Sequence, residues 1–131
     1  MPKYEMRITM RAKPTPRPRV NRYGVAYYPA KYTKYKRELE NAFEGKNIKL
    51  KTKDKPLALQ IFCWYKRAKG SKLLYPVGDA DNIIKGVMDS MKCIIGDDKR
   101  VVVLFFGKKY CEPNKGDIDQ DVIDIIIEED E

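Results

Sequence analysis

Asp79 and Asp81 stand two positions apart at the head of a run, DNIIKGVMDSMKC, in which Ile83, Ile84, Val87, Met88 and Met91 recur at three- and four-residue steps. That period predicts an amphipathic helix over 81–93, with Asp81 as its cap. The opposite stripe is Asn82, Lys85, Asp89 and Lys92, so Lys85 projects from the same end as the Asp79/Asp81 pair. Asp97 and Asp98 follow the run, directly before a series of strand-forming residues. Each acid has an ordinary explanation as a cap or a turn residue. Four acids and a lysine gathered in one stretch of a basic chain point instead to a metal site aimed at phosphate. Carboxylate oxygens without histidine suit Mg²⁺, with Mn²⁺ as a substitute. Such an ion polarises a phosphoryl oxygen and lowers the pKa of a bound water, and a second ion can stabilise the leaving oxygen. Lys85 could neutralise charge on the phosphate in the transition state, or serve to keep the carboxylates ionised and assembled.

The remaining composition narrows the chemistry. There is no histidine, which excludes a His-based triad, a His general base and His-ligated zinc. Cys63, Cys93 and Cys111 are odd in number and widely spaced, against a disulfide framework or structural zinc site. They suit a reducing, cytoplasmic setting. An EF-hand starting at Asp79 fails, because Ile84 and Ser90 occupy the positions that need Gly and Glu. The Gly96-Asp97-Asp98 triplet is that of a polymerase palm, but the chain is too short to build one.

These residues must be positioned by a single domain, 1–131, large enough to bury a core without staples. With 43% hydrophobic and 35% charged residues the chain reads as soluble and globular, and no apolar run approaches a membrane span. The N-terminal stretch alternates and carries charge throughout, unlike a secretory signal. Residues 3–11 predict a half-buried strand with Tyr4, Met6, Ile8 and Met10 on one face. Pro14, Pro16 and Pro18 then enforce an extended loop, and Val25–Tyr28 forms a short strand. A helix follows from Thr33, as cap, to Phe43, with Gly45 as its stop and Tyr32 and Tyr35 in the core or at its boundary. Leu57–Tyr65 is apolar on both faces and predicts an interior strand with Trp64 in the core. Residues 66–78 are a mobile loop. Residues 101–112 predict a second buried strand, joined through a turn to a strand at 122–127 as an antiparallel hairpin, and an exposed acidic tail closes the chain. The fold class is α+β: a mixed sheet of four to five strands with two helices.

Charge is strongly asymmetric. Residues 1–72 hold 20 Lys/Arg against 5 Asp/Glu, whereas the rest hold 7 against 14. A basic first half suits a polyanionic partner. Arg17, Arg19 and Arg22 on the stiff proline segment, and Lys66, Arg67, Lys69 and Lys72 in the loop before Asp79, are the candidate phosphate contacts. One distance stands against a simple site. A helix over 81–93 is roughly 18 Å long, and the five residues from Ile94 to Asp98 return at most about 17 Å. Asp98 therefore reaches the Asp79/Asp81 end only if the helix stops early, or if the acids meet across subunits.

Asp79-Ala-Asp81-Asn82-x-x-Lys85, followed by a helix and Asp97-Asp98, resembles the RusA family of Holliday-junction resolvases of bacteria and their phages. The Pro-Arg segment, the tyrosine-containing stretch before the first helix and the chain length are similar too. The resemblance implies that Asp79, Asp81 and Asp98 are metal-binding catalytic carboxylates and that Lys85 is an essential basic residue near the scissile phosphate. Asn82, Asp89 and Asp97 are supporting residues. It also implies a Mg²⁺-dependent homodimer that nicks two strands of four-way junction DNA symmetrically. Val77-Gly78 stand where some relatives have a run of arginines, which leaves the phosphate contact there to Lys66, Arg67, Lys69 and Lys72. Two other functions fit the residues alone: a metal nuclease for other branched DNA or RNA, and a basic nucleic-acid-binding module without catalysis.

Overall fold

Alternation decides the first strand of the computed structural model, which describes residues 2–129. β1 (Lys3–Ile8) turns Met6 and Ile8 inward and Lys3, Glu5 and Arg7 to solvent. The pattern runs on to Arg11 in sequence, but the strand ends at Ile8, where the Met10 amide turns back to the Ile8 carbonyl at 3.0 Å. The proline segment is less irregular than its composition implies. Its end forms β2 (Arg19–Val20), paired antiparallel with β3 (Ala26–Tyr27). The Asn21 side chain holds that turn by accepting the Tyr23 and Val25 amides at 2.9 and 3.0 Å.

Helix α1 (Ala30–Gly45) buries Tyr32, Tyr35, Leu39 and Phe43. It starts three residues before Thr33, because Pro29 supplies a fixed φ of −55° and has no amide to satisfy. Thr33 sits in the first turn and returns its hydroxyl to the Pro29 carbonyl at 3.4 Å. In β4 (Leu57–Tyr65) the odd positions are buried, while the even ones are half-buried or, at Gln60, exposed, so only one face of this interior strand is fully dry. Trp64 lies on the open face, half-buried and tilted against Phe62 at 4.8 Å, rather than in the core.

Helix α2 (Ala80–Ser90) buries Ile83 and Val87 and stops at Ser90, whose hydroxyl donates to the Gly86 carbonyl at 2.8 Å. The expected continuation to Cys93 is instead a separate short turn, α3 (Lys92–Ile95), ended by Gly96 at φ +71°. A 3₁₀ turn over Asp98–Arg100 leads into β5 (Val101–Tyr110), and β6 (Val122–Glu129) completes the sheet.

Strand order is β1-β6-β4-β5, with β4 and β5 parallel and the other pairs antiparallel. The α+β class and the mixed sheet stand, with three helices rather than two and the β2/β3 pair apart from the main sheet. The expected antiparallel hairpin over 101–127 is wrong. β4 lies between β5 and β6 and pairs with both, Leu59 opposite Leu104 on one side and Ile127 on the other. β4 and β5 are parallel, and the segment through α2 is the crossover connection that a parallel pair requires. β6, buried at Val122, Ile123, Ile125 and Ile127, takes the interior position, and β5 is left at the edge. Val102, Val103, Leu104 and Phe105 are consequently exposed, although their sequence reads as a buried strand. Among the described residues, no helix is long and apolar enough to cross a membrane. Of the acidic tail, Glu129 is buried, while 130 and 131 lie outside the described residues.

Candidate active site

Asp79 takes the N-cap position of α2 in extended conformation (φ −73°, ψ 136°), with its carbonyl accepting the Ile83 amide at 3.1 Å. Asp81, expected as the cap, lies inside the first turn. Neither side chain is spent on capping, because the helix has no side-chain cap bond at this end. Both carboxylates are exposed beside the helix N-terminus, where the backbone field favours negative charge. Lys85, one turn beyond Asp81, is exposed on the same stretch of helix. Asp89 lies eight residues from Asp81, about 12 Å along the helix, and is half-buried.

Three features hold this end in place. Gly78 adopts φ +112°, a conformation open to glycine, and a Cβ there would sit 3.3 Å from the Pro14 ring. The ammonium of Lys108, on β5, donates to the carbonyls of Pro76 and Gly78 at 2.7 and 2.5 Å, fixing the chain immediately before Asp79. The Thr15 amide donates to the Asn82 carbonyl at 3.0 Å, and the Thr15 and Tyr32 hydroxyls are 2.8 Å apart. Gly86 lets α2 approach that pair, since a Cβ would meet the Tyr32 hydroxyl at 3.0 Å. The proline segment is thereby stitched to the head of α2. Arg17, Arg19 and Arg22 continue from it, all exposed.

The loop before Asp79 is tied rather than free. Lys66 pairs with Asp119 at 3.7 Å, and its amide donates to Asp121 at 2.7 Å. Arg67 donates to the Leu73 carbonyl and lies 4.0 Å over the Tyr110 ring. Lys69 and Lys72 are exposed.

Asp98 is held at a different place. Asp97 accepts the Lys99 amide at 2.9 Å, a bond that lowers the pKa of its carboxyl, and Asp98 begins the 3₁₀ turn with its side chain exposed. The turn is anchored by Arg100, which donates to the carbonyls of Lys55, Ile95 and Thr52 at 3.0, 3.1 and 3.2 Å and to the Thr52 hydroxyl at 3.1 Å. Thr52 in turn donates its amide and hydroxyl to Glu129, whose carboxylate also accepts the Lys51 amide and the Tyr4 hydroxyl, both at 2.9 Å. Burial alone would raise the Glu129 pKa. The hydrogen bonds from Thr52, Lys51 and Tyr4 outweigh it and hold the carboxyl at about 2.

Asp79 is thus fastened to Lys108 and Asp98 to the start of β5. Lys108 and Val101 are seven residues apart on one strand, which is about 23 Å of extended chain. Among the described residues, no three acidic or cysteine side chains converge on a position that could hold a metal ion. Sequence reasoning missed Lys108, Arg100, Thr52 and Glu129. Lys108 carries a signal in retrospect, as a cation following seven uncharged strand residues. The Glu129 network, built from residues far apart in the chain, carries none.

A family model described as Endodeoxyribonuclease RusA matches residues 10–118, a span that includes Asp79, Asp81, Lys85, Asp98 and Lys108. No curated protein matches the chain. With most of its length matched, from the proline segment through the acidic pair to the loop beyond β5, the chain belongs to the RusA family, endodeoxyribonucleases that resolve Holliday junctions.

Proposed function

We propose that the chain works as a two-fold dimer joined edge to edge through β5, in which Asp79 and Asp81 of one protomer meet Asp98 of its partner. The observation that supports this reading is an exposed apolar edge strand with the Asp98 turn before its start and, towards its end, Lys108 bonded to the Gly78 carbonyl next to Asp79. Antiparallel pairing of two β5 strands superposes the Asp98 end of one on the Lys108 end of the other. The dyad then falls near Val103. The same pairing covers Val102–Phe105 and caps a strand edge that would otherwise invite aggregation. A cyclic dimer made this way has two equivalent sites, the symmetry needed to nick opposed strands of a four-way junction.

Each such site would offer carboxylates without histidine, a donor set that suits Mg²⁺ or Mn²⁺. When bound, the ion supplies Lewis acidity, polarising the phosphodiester and acidifying water for attack at phosphorus. The protein's part is positional and electrostatic. Asp79 and Asp81 are set by Gly78, Lys108 and the stitched proline segment, and Asp98 by Arg100. Lys85 faces the developing charge on phosphate. Arg17, Arg19, Arg22, Lys66, Arg67, Lys69 and Lys72 hold the backbone of the arms, in support of which Asn82, Asp89 and Asp97 keep α2 and the 3₁₀ turn in shape.

Cleavage of a four-way junction beside linear duplex and flap substrates, in Mg²⁺ and in EDTA, tests the activity. We expect paired nicks in the junction with Mg²⁺ alone. Asp79→Asn should bind the junction without cutting it. Cleavage that survives this substitution removes Asp79 from the mechanism, and equal cutting of all substrates removes the junction preference.

A further inference from the structure

Leu74 and Tyr75 are 90% and 71% exposed, with Leu73 and Val77 open beside them. Large apolar side chains left in water are costly, and a free loop would fold them onto the sheet. This loop is prevented from doing so at both of its ends. Arg67 holds the Leu73 carbonyl on one side, and on the other Lys108 holds those of Pro76 and Gly78, with Pro76 itself buried. The tip is therefore presented outward, four residues from Asp79.

We propose that Leu74 and Tyr75 form a base-contacting tip that packs against nucleobases unstacked at the branch point of the substrate. The reading rests on the nuclease function above and adds to it the element that finds the branch. Residues 66–78 contain Lys66, Arg67, Lys69 and Lys72 and no acid, so their charge complements a nucleic acid and opposes the same loop of a second copy. The apolar surface of a nucleic acid is the base face, which a continuous duplex hides and a branch point exposes. A tyrosine ring stacks on any base, and a leucine beside it fills the space left by a parted base pair. Phosphate contacts position the arms, whereas parted bases are a surface that only the branch point offers.

The test is a four-way junction carrying 2-aminopurine at the branch point, bound by protein in an Asp79→Asn background so that it is not cut. We expect binding to change the fluorescence, and the double substitution Leu74→Ser/Tyr75→Ser to abolish that change. Preference for junction over linear duplex should fall about tenfold, within the range for a lost stacked base, with duplex affinity unchanged. No fluorescence change with the parent, or a change that survives the double substitution, overturns the proposal. Sedimentation of the double variant as a smaller species also overturns it, by assigning the tip to a contact between copies. Failure of the nuclease reading shows separately, as no Mg²⁺-dependent cutting by the unsubstituted protein while the fluorescence still reports on the tip.

Discussion

Lys108 follows VVVLFFG, seven strand residues without a charge, and it spends its ammonium on two backbone carbonyls instead of solvent or an acid. Charged donors to carbonyls make stronger bonds than neutral ones, and here they fix the residue directly before the Asp79 N-cap. Lys108→Met should therefore act as a positioning change. We expect the single-turnover cleavage rate to fall between tenfold and about a hundredfold, as for a displacement of roughly 1 Å at a reacting group. Junction affinity should stay within about threefold, and Lys108→Arg should recover part of the rate. A variant with weakened binding and unchanged rate would make Lys108 a DNA contact instead. The same scale shows what the sequence could and could not disclose. That Asp81 and Lys85 share one helix was legible from the apolar period of Ile83, Val87 and Met91. The N-cap position of Asp79 was not, because the letters do not show the positive φ of Gly78 before it.

The network from Tyr4 through Glu129, Thr52 and Arg100 binds β1, β6, the connector before β4 and the 3₁₀ turn into one corner. Its carboxyl is depressed to about 2 in the folded chain, against an ordinary glutamate value of about 4.3 when unfolded. The sign follows from linkage. The stabilisation is fully present above the unfolded value and is lost as pH falls from there through about 2. Glu129→Gln keeps the shape but removes the charge, leaving donors poorly matched. We expect a loss on the order of 1–3 kcal/mol at neutral pH, together with a flatter stability curve between pH 5 and 2 by roughly the same linkage, measured by urea unfolding. A parallel pH dependence in parent and variant would assign the acid sensitivity to other carboxylates. At this scale the helices and most strands were readable from their periods, whereas the order of strands was not. A parallel pair made by a crossover leaves no local turn signal. A run such as VVVLFF reads the same whether it is buried in a sheet or exposed at its edge.

For the whole molecule, the proposed dimer builds each site from the Asp79/Asp81 end of one chain and the Asp98 turn of the other. A site completed within one chain would cut as a monomer, on any strand the basic surface captured. A site completed across a dyad couples cutting to assembly, and so to a substrate with two-fold symmetry. Length arithmetic from sequence left the acids two ways to meet, and the proposed dimer takes the longer one: α2 stops at Ser90, Asp98 precedes β5, and Lys108, which holds Gly78, lies towards the far end of that strand. The decisive measurement mixes two inactive chains. Asp79→Asn and Asp98→Asn proteins, co-expressed with different tags, should each be inactive alone. In the mixed dimer, one site combines both defects, and the other combines intact Asp79 and Asp81 from one chain with intact Asp98 from the other. Random pairing makes about half of the dimers mixed, each with one sound site of two, so nicking should return to roughly a quarter of the parent level. Purified mixed dimers should nick one strand without resolving the junction. If every site is built within a single chain, both sites of the mixed dimer carry a defect and no activity returns.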